Sequence, residues 1–346
     1  MNKTAIYALT PQGARLGKHL ADQTGGDLYL PVRLCDSYKA ICFDRLQDTV
    51  ADNFLKYPRH VFIAAAGIVV RVIAPYLKSK KHDPAVVVLD QKGRHVISLL
   101  SGHLGGANAL AHEVARLTGG EAVITTATDT EGVPSMDMLA KERGLFIANM
   151  DAVKGINMAI LEGKAVQVFD IEDRLGLKNS DMPGLSVNRV ERQDKWSIQD
   201  PGVWVTWRFK APDPDGNRLI LHPRSLVAGI GCNRGTASKE ILELILTTFK
   251  DNALALKSLK CMVTIEAKRD EKGLIDAANE LKVPLLFAGP SEIESINVPN
   301  PSSMVKKHMG VSSVCEATAI LKSGNGNLLV PKAKSLNVTL AVALEG

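Results

Sequence analysis

Short apolar segments alternate with helical patterns along the first half of the chain, and this alternation limits the possible folds more than any other feature. Strands are predicted at about residues 3–9, 27–32, 60–66, 85–90, 95–100, 121–126 and 164–170, with helical patterns between most of them. Such alternation is typical of a mostly parallel sheet covered by helices. We therefore predict an α/β fold with a mostly parallel N-terminal sheet, in which a turn at 90–93 pairs two neighbouring strands as a hairpin.

Three regions follow from this pattern. Residues 1–149 form an N-terminal α/β domain, and the whole chain of 346 residues is longer than a usual single domain. Within the middle region, 150–224, five prolines interrupt the periodicity, so we expect either a small irregular domain or a linker. Those prolines are Pro183, Pro201, Pro212, Pro214 and Pro223.

A separate compact α/β domain is predicted for residues 225–346. It opens with a strand that runs into a glycine loop at 229–235, and Thr236 is expected to cap a helix that continues to about residue 249. Further strands are predicted near 259–265, 284–288, 327–331 and 337–344, with helices near 271–281 and 312–322.

Charge and cysteine usage exclude several classes of protein. A net charge of +5 without a long basic run gives a weak nucleic-acid footprint, so no nucleic-acid partner is expected. The apolar run from Val61 ends at Arg71, too early for a membrane span, and no membrane partner is expected. The five scattered cysteines form no CxxC pair, which indicates neither a disulfide framework nor a zinc site. We predict a cytoplasmic protein that binds no metal of its own.

The segment after the strand at 95–100 reads SGHLGGAN and has the composition of a ligand-binding loop. Its glycines permit close approaches that a side chain would prevent, and the first turn of the next helix offers N–H groups to an anion. An imidazole there exchanges a proton near neutral pH. The predicted cradle consists of Ser101, Gly102, His103, Gly105, Gly106 and Asn108. The alternative is a tight strand-to-helix turn with a capping imidazole.

A second polar segment, TTATDTE, follows the strand at 121–126. Ligands of α/β sheets bind beyond the carboxyl ends of strands, so Asp129 and Glu131 are candidate acids or bases. Capping of a helix that begins near Pro134 explains the same residues and is favoured by the sequence alone.

The glycine loop at 229–235 requires a choice between two kinds of ligand. Its spacing is GxGxxxG, whereas a dinucleotide fingerprint is GxGxxG, so a nicotinamide site is weakly supported. Gly231, Gly235 and the helix after Thr236 are instead predicted to receive a carboxylate or phosphate, with Arg234 as a bidentate partner. An ordinary turn with a solvated arginine explains the pattern equally well.

Several segments together resemble one family. They are GIVVRVIAP from Gly67, KHDPAVV from Lys81, SGHLGGAN from Ser101, TATD from Thr126, GIGC from Gly229, RGT from Arg234, CEA from Cys315 and LVPK from Leu329. In this order they are similar to the cobalt-precorrin-5A hydrolases of anaerobic cobalamin biosynthesis. The resemblance covers nearly the whole chain, and only about 150–222 is poorly marked.

The resemblance implies a hydrolase that opens the ring A acetate lactone of a cobalt-bearing tetrapyrrole and expels acetaldehyde. Lactone opening needs a base to activate water and donors for the oxyanion, and His103 with the amides at Gly105 and Gly106 suits this. Asp129 or Glu131 then serves the carbon–carbon cleavage.

The substrate carries carboxylate arms, for which the cations in matched motifs are Arg71, Arg234 and Lys332. The cobalt arrives with the substrate, so no cofactor from the protein is expected. Possible partners are a second copy of the chain or neighbouring enzymes of the pathway. The alternatives that stay open are a tetrapyrrole carrier without chemistry and, less favoured, a nicotinamide-dependent reductase.

Overall fold

The computed structural model describes residues 3–79, 82–178, 182–210, 216–294 and 313–346, together with Ile296 and Val298. Lys81 of the quoted motifs and two of the middle prolines, Pro212 and Pro214, lie outside these residues. Contacts divide the chain into two compact units. Unit 1 comprises Met1–Met138 and Met182–Gly184, and unit 2 comprises Leu139–Asp181 and Leu185–Gly346.

Unit 1 contains a seven-stranded sheet in the order β3-β2-β1-β4-β5-β6-β7. Its strands are β1 Thr4–Ala8, β2 Asp27–Pro31, β3 Ile41–Phe43, β4 Arg59–Ile63, β5 Ala85–Leu89, β6 His95–Leu100 and β7 Glu121–Val123. All neighbours are parallel except β5 and β6, which form the predicted hairpin. The mostly parallel N-terminal sheet is therefore confirmed.

The hairpin reverses the direction of the last two strands. Leu100, at the end of β6, pairs with Val86 near the start of β5, and β7 runs parallel to β6. The carboxyl ends of β6 and β7 therefore lie side by side, at the same end of the sheet as the amino ends of β4 and β5. This arrangement brings the loop at 101–106 beside the segment that follows β7.

Helices cover both faces of this sheet. They are α1 Pro11–Thr24, α2 Val32–Cys35, α3 Leu46–Asn53, α4 Ala66–Ile73, α5 Ala107–Thr118 and α6 Ala127–Thr130. Alternate residues of β1 belong to different buried clusters: Ile6 packs in one, and Tyr7 packs in the other. This is the two-residue period of a strand buried on both faces. Helix α5 closes the first cluster with Leu110 and Val114.

Unit 2 contains two five-stranded sheets. The sheet of the middle region has the order β10-β9-β11-β12-β8, and its strands are β8 Phe146–Ile147, β9 Val166–Phe169, β10 Val187–Arg189, β11 Gly202–Val205 and β12 Arg218–His222. The C-terminal sheet has the order β15-β14-β13-β17-β16, with β13 Leu226–Cys232, β14 Leu259–Ile265, β15 Leu285–Ala288, β16 Leu328–Lys334 and β17 Val338–Leu344. The further described helices are α7 Met136–Glu142, α8 Asp151–Leu161, α9 Ser238–Asp251, α10 Lys272–Leu281, α11 Pro290–Glu294 and α12 Val314–Lys322.

The middle region is more regular than its pattern suggests. Pro201 lies directly before β11, and Pro223 lies directly after β12. These prolines separate short strands and do not interrupt them, since proline is tolerated where a strand begins or ends. The prolines therefore made an ordered sheet look irregular in the sequence pattern.

Two local expectations were wrong. Cys35 and Cys42 form a disulfide, because the four-residue helix α2 turns the chain so that β3 pairs with β2 and the two Cα atoms lie 5.9 Å apart. Thr236 does not cap α9: its hydroxyl donates to the carbonyl of Asn233, and Ala237 occupies the cap position. Among the described helices, none has both the length and the apolar character that crossing a lipid bilayer requires.

Candidate functional site

The loop between β6 and α5 is closed by its own backbone. Ser101 has a φ of 59°, and Gly106 has a φ of 91° in the left-handed region that favours glycine. The amide of Gly106 donates to the carbonyl of His103 over 2.9 Å, and the amide of Asn108 donates to the carbonyl of Gly102 over 3.0 Å. The predicted oxyanion donor at Gly106 is therefore already used within the loop.

The glycines of this loop allow the chain to approach itself. A Cβ at Gly105 would lie 2.3 Å from the Cβ of Ser101, and one at Gly102 would lie 2.7 Å from Oδ1 of Asn108. The hydroxyl of Ser101 donates to the carbonyl of Asp83 over 3.0 Å. These three predicted residues thus shape the loop, and the close approach predicted for a ligand is made by the chain's own atoms.

Asn108 connects the loop to the segment after β7. Its side chain is buried, accepts a hydrogen bond from the hydroxyl of Ser98 over 2.7 Å, and donates to Oδ2 of Asp129 over 3.1 Å. A further bond runs from its amide to the hydroxyl of Thr126 over 3.2 Å. Because the amide is held on both sides, it fixes the position of the Asp129 carboxylate.

His103 lies against that same carboxylate. Its Nε2 is 3.0 Å from Oδ2 of Asp129 and 3.1 Å from the hydroxyl of Thr128. On the other side of the ring, Nδ1 is 3.6 Å from Oδ2 of Asp137, which makes an ion-pair contact longer than a hydrogen bond. The structure thus brings together two of the three predicted catalytic residues, His103 from the loop after β6 and Asp129 from helix α6.

The electrostatics of the cluster favour a charged imidazole. The carboxylate of Asp137 is the largest cause of a raised pKa for His103, partial burial opposes it, and Asp129 raises the pKa further. With a side chain that is 20% exposed, His103 is able to reach a ligand at the surface of unit 1. The arrangement is suited to transfer of a proton between the imidazole and a bound substrate.

Asp137 and Thr128 are site residues that the sequence did not identify. Asp137 lies in the first turn of α7, and its side chain is only 5% exposed. An acidic residue in the first turn of a helix is ordinarily explained by the helix dipole, which hides any second role. The sequence feature that could have identified Asp137 is its position shortly after the polar segment 125–131.

Two other predicted residues of unit 1 lie apart from this cluster. Glu131 is exposed at the end of α6 and is not among the described contacts of His103. Arg71 is exposed on α4, where its guanidinium donates to the carbonyl of Gly67 over 3.1 Å. Helix α4 follows β4, and the carboxyl end of β4 lies at the opposite end of the strands from the loop at 101–106.

The predicted anion cradle of unit 2 is occupied by the protein's own carboxylates. The amide of Gly235 donates to the buried carboxylate of Glu271 over 2.5 Å. The guanidinium of Arg234 pairs with Asp270 at 2.9 Å and donates to the carbonyl of Ala267 over 2.9 Å. A substrate carboxylate would therefore compete with ligands that are already in place.

The last two predicted residues serve the C-terminal sheet through their backbone. Gly231 lies in β13, and its carbonyl accepts a hydrogen bond from the hydroxyl of Thr339 over 3.3 Å. Lys332 lies in β16, and its amide donates to the fully buried carboxylate of Glu316 over 2.9 Å. These contacts explain both positions structurally, so their predicted contact with substrate stays a prediction.

Comparison with known families matches three consecutive parts of the chain. Residues 48–129 match the family model "Cobalamin synthesis G N-terminal", residues 134–223 match "Cobalamin biosynthesis central region", and residues 226–343 match "Cobalamin synthesis G C-terminus". The His103 and Asp129 pair falls within the first of these.

Individual relatives match over most of their length. A cobalt-precorrin-5A hydrolase of Priestia megaterium is 35% identical over 84% of this chain and 79% of its own. One of Salmonella typhimurium is 34% identical over 98% of this chain and 97% of its own. A solved structure of a cobalamin biosynthesis protein G homolog from Sulfolobus solfataricus is 23% identical, with a TM-score of 0.37, over 100% of this chain and 98% of that one. From the first two matches and the family models, the chain belongs to the cobalt-precorrin-5A hydrolase family.

Proposed function

We propose that this chain converts cobalt-precorrin-5A into cobalt-precorrin-5B by opening the ring A acetate lactone and releasing acetaldehyde. The names and the coverage of the relatives support the substrate. The observation that supports the chemistry is the contact between His103 and Asp129, which places an imidazole and a carboxylate side by side at a partly exposed position.

Lactone opening is the first step of the proposed reaction. Water adds to the lactone carbonyl, the acyl carbon–oxygen bond breaks, and a carboxylate and a secondary hydroxyl result. The step needs one group that accepts a proton from water and one that supplies a proton to the departing oxygen. His103 and Asp129 are the described pair in unit 1 that fits these two tasks by contact and by type.

Carbon–carbon cleavage is the second step. The new hydroxyl loses its proton, its oxygen forms the carbonyl of acetaldehyde, and the electron pair of the broken bond passes to the conjugated macrocycle, which then takes up a proton. One water is consumed over both steps. The same imidazole is suited to remove the hydroxyl proton, since it is neutral after donating one.

Charged side chains are proposed to hold the carboxylate arms of the substrate. Arg71 is a candidate for an arm remote from the lactone, because its guanidinium is exposed and bonds only within its own helix among its described contacts, whereas α4 follows the end of β4 opposite the loop at 101–106. Arg234 is less suited, because Asp270 already neutralises it. The side chain of Lys332 stays a candidate on its position in the matched motif.

The cobalt belongs to the substrate in this proposal, and the protein supplies no cofactor. Cytoplasmic location, self-association and transient contact with neighbouring pathway enzymes are further parts of the proposal. Cell fractionation tests the first of these, and the mass of the chain in solution, alone and mixed with those enzymes, tests the other two.

The test is incubation of the purified chain with cobalt-precorrin-5A, with a hydrazine to trap aldehyde and mass spectrometry of the tetrapyrrole. We expect trapped acetaldehyde and a tetrapyrrole changed by gain of water and loss of the two-carbon unit. His103→Gln is expected to lower the rate by about 10²–10⁴-fold. His112→Gln changes an exposed histidine on α5 and is expected to leave the rate unchanged.

Two results would contradict the proposal. A spectral shift of the bound tetrapyrrole without aldehyde would favour the carrier. Equal rates for His103→Gln and the unchanged chain would remove the imidazole from the chemistry while leaving the substrate in place.

A further inference from the structure

Two carboxylates contact the imidazole of His103 from two different helices. Asp129 reaches Nε2 from α6 at 3.0 Å, and Asp137 reaches Nδ1 from the first turn of α7 at 3.6 Å. The two acids differ in exposure: the side chain of Asp129 is 38% exposed, and that of Asp137 is 5% exposed. Asp129 is therefore open to substrate and solvent, whereas Asp137 is enclosed by protein.

This geometry favours the protonated ring, although the Thr128 hydroxyl, 3.1 Å from Nε2, is able to donate a hydrogen bond to a neutral ring. A neutral imidazole carries one N–H and one lone pair, so either tautomer would direct a lone pair at a carboxylate oxygen. The imidazolium directs an N–H at each acid. A buried carboxylate also requires a charged or hydrogen-bonding partner, and the imidazolium is such a partner for Asp137.

Resting on the function proposed above, we infer that Asp137 is a positioning residue that keeps His103 as an imidazolium before the reaction, so that His103 enters it as the proton donor. In lactone opening, the acyl carbon–oxygen bond breaks with its electron pair on the departing oxygen, and that oxygen receives a proton from the imidazolium. The proton lost by the attacking water passes to the Asp129 carboxylate. His103 is then neutral and able to remove the hydroxyl proton for carbon–carbon cleavage.

The charged surroundings of the ring agree with this assignment. Among the described residues, the titratable groups that face His103 are Asp137 from α7 and Asp129 from α6, and both raise its pKa above the ordinary 6.5. Because the folded pKa lies above the unfolded one, these contacts stabilise the fold fully below about pH 6.5. Their contribution is lost as the pH rises through the folded pKa.

The direct test is an NMR titration of the full chain without substrate, in which the His103 ring signal is identified by its absence from His103→Gln. We expect a His103 pKa above 6.5 in the unchanged chain, a clear fall in Asp137→Asn, and retention in Asp137→Glu. Asp90→Asn is the matched control, because Asp90 accepts backbone hydrogen bonds in the β5–β6 turn and does not contact His103. It is expected to lower stability without moving the His103 pKa.

The second test is the pH profile of kcat/KM for acetaldehyde release. With His103 as the donor, kcat/KM falls as the pH rises through the His103 pKa, and Asp137→Asn moves this fall to lower pH. Each unit by which the pKa drops lowers the rate about tenfold on the alkaline side.

The outcomes separate the two proposals. No turnover by the unchanged chain contradicts the proposed function, whatever the titration shows. Turnover with a His103 pKa at or below 6.5, or with an alkaline limb that Asp137→Asn does not move, overturns the role of Asp137. If Asp137→Asn does not fold, a His103 pKa at or below 6.5 in the unchanged chain or in Asp137→Glu still overturns the role of Asp137.

Discussion

Gly105 has no room for a side chain. A Cβ there would lie 2.3 Å from the Cβ and 2.7 Å from the carbonyl oxygen of Ser101, so the loop must shift to accept alanine. We expect Gly105→Ala to lower the free energy of unfolding by about 1–3 kcal/mol, as is usual for overpacking. Denaturant unfolding followed by circular dichroism measures the change.

Gly67 is the matched control for this substitution. It lies in α4, and its nearest neighbour would be 3.4 Å from an added Cβ, which is an ordinary contact. Alanine favours a helix more than glycine does, so Gly67→Ala is expected to cost nothing. Equal losses in the two variants would show that the close approach at Gly105 does not constrain the loop.

His60 makes the stability of the fold depend on pH in the opposite sense from His103. It is completely buried among aromatic side chains, and burial lowers its pKa from 6.5 to about 4. Between these values the unfolded chain binds a proton that the folded chain does not. The free energy of unfolding is therefore expected to fall by about 3 kcal/mol as the pH decreases from about 6.5 to 4.

Unfolding curves of the unchanged chain and of His60→Gln are compared at each pH. Every other titratable group is present in both chains, so the difference between their free energies of unfolding isolates the effect of His60. The difference between the unchanged chain and His60→Gln should shrink as the pH falls through that window. His19→Gln, which changes an exposed histidine of α1, is the matched control for the substitution itself. A constant difference for His60→Gln would mean that burial does not lower the pKa of His60.

At the same scale, the sequence identified most of the polar cluster but not its arrangement. His103 and Asp129 were recognisable from their residue types after two predicted strands, and their contact follows from β6 and β7 being parallel neighbours. Asp137 was not recognisable, because an acid in the first turn of a helix has an ordinary local explanation. Arg234 was assigned a ligand because its partner, Asp270, lies 36 residues away in sequence.

Among the elements, helix α10 shows how a predicted ligand site becomes an internal contact. The Glu271 carboxylate does not cap its own helix and instead accepts the amide of Gly235, which joins α10 to the loop after β13. We expect Glu271→Ala to lower the free energy of unfolding by about 1–3 kcal/mol, because a part-buried amide loses its partner. The three tryptophans, Trp196, Trp204 and Trp207, lie in unit 2 and report this unfolding by fluorescence.

Asp270→Ala is the control for Glu271→Ala. Asp270 is exposed and pairs with Arg234 at the surface, where solvent screens the interaction, so its loss is expected to be much smaller. A loss for Asp270→Ala as large as that for Glu271→Ala would contradict the view that burial makes the Gly235 contact important.

Elements with a strong pattern were predictable, and short elements were not. The strand predicted at 259–265 matches β14 Leu259–Ile265, since a mostly apolar run of this length is typical of a buried strand. β3 has three residues, of which two are exposed, and β8 has two residues. Strands this short contain a single two-residue period, too little for a pattern, so only their pairing in the folded chain defines them.

For the whole molecule, a net charge of +5 favours the approach of a substrate that carries several carboxylates. The charges that matter most should be those without an internal carboxylate partner. On that basis Arg71 on α4 is expected to bind substrate, whereas the Arg234 guanidinium is already paired. Added salt should raise KM and leave kcat nearly unchanged, because it screens exposed charges.

Arg71→Gln and Arg234→Gln distinguish these two cations on one assay of aldehyde release. We expect Arg71→Gln to raise KM and to weaken its dependence on salt, with kcat retained, because binding energy is lost equally from the bound substrate and the transition state. Arg234→Gln should change KM less, since the uncharged side chain only releases Asp270. If Arg234→Gln raises KM as much as Arg71→Gln, the Asp270 pair must open for substrate, and the loop at 229–235 would again be a carboxylate site. If neither variant changes KM or its salt dependence, the carboxylate arms are held by other groups.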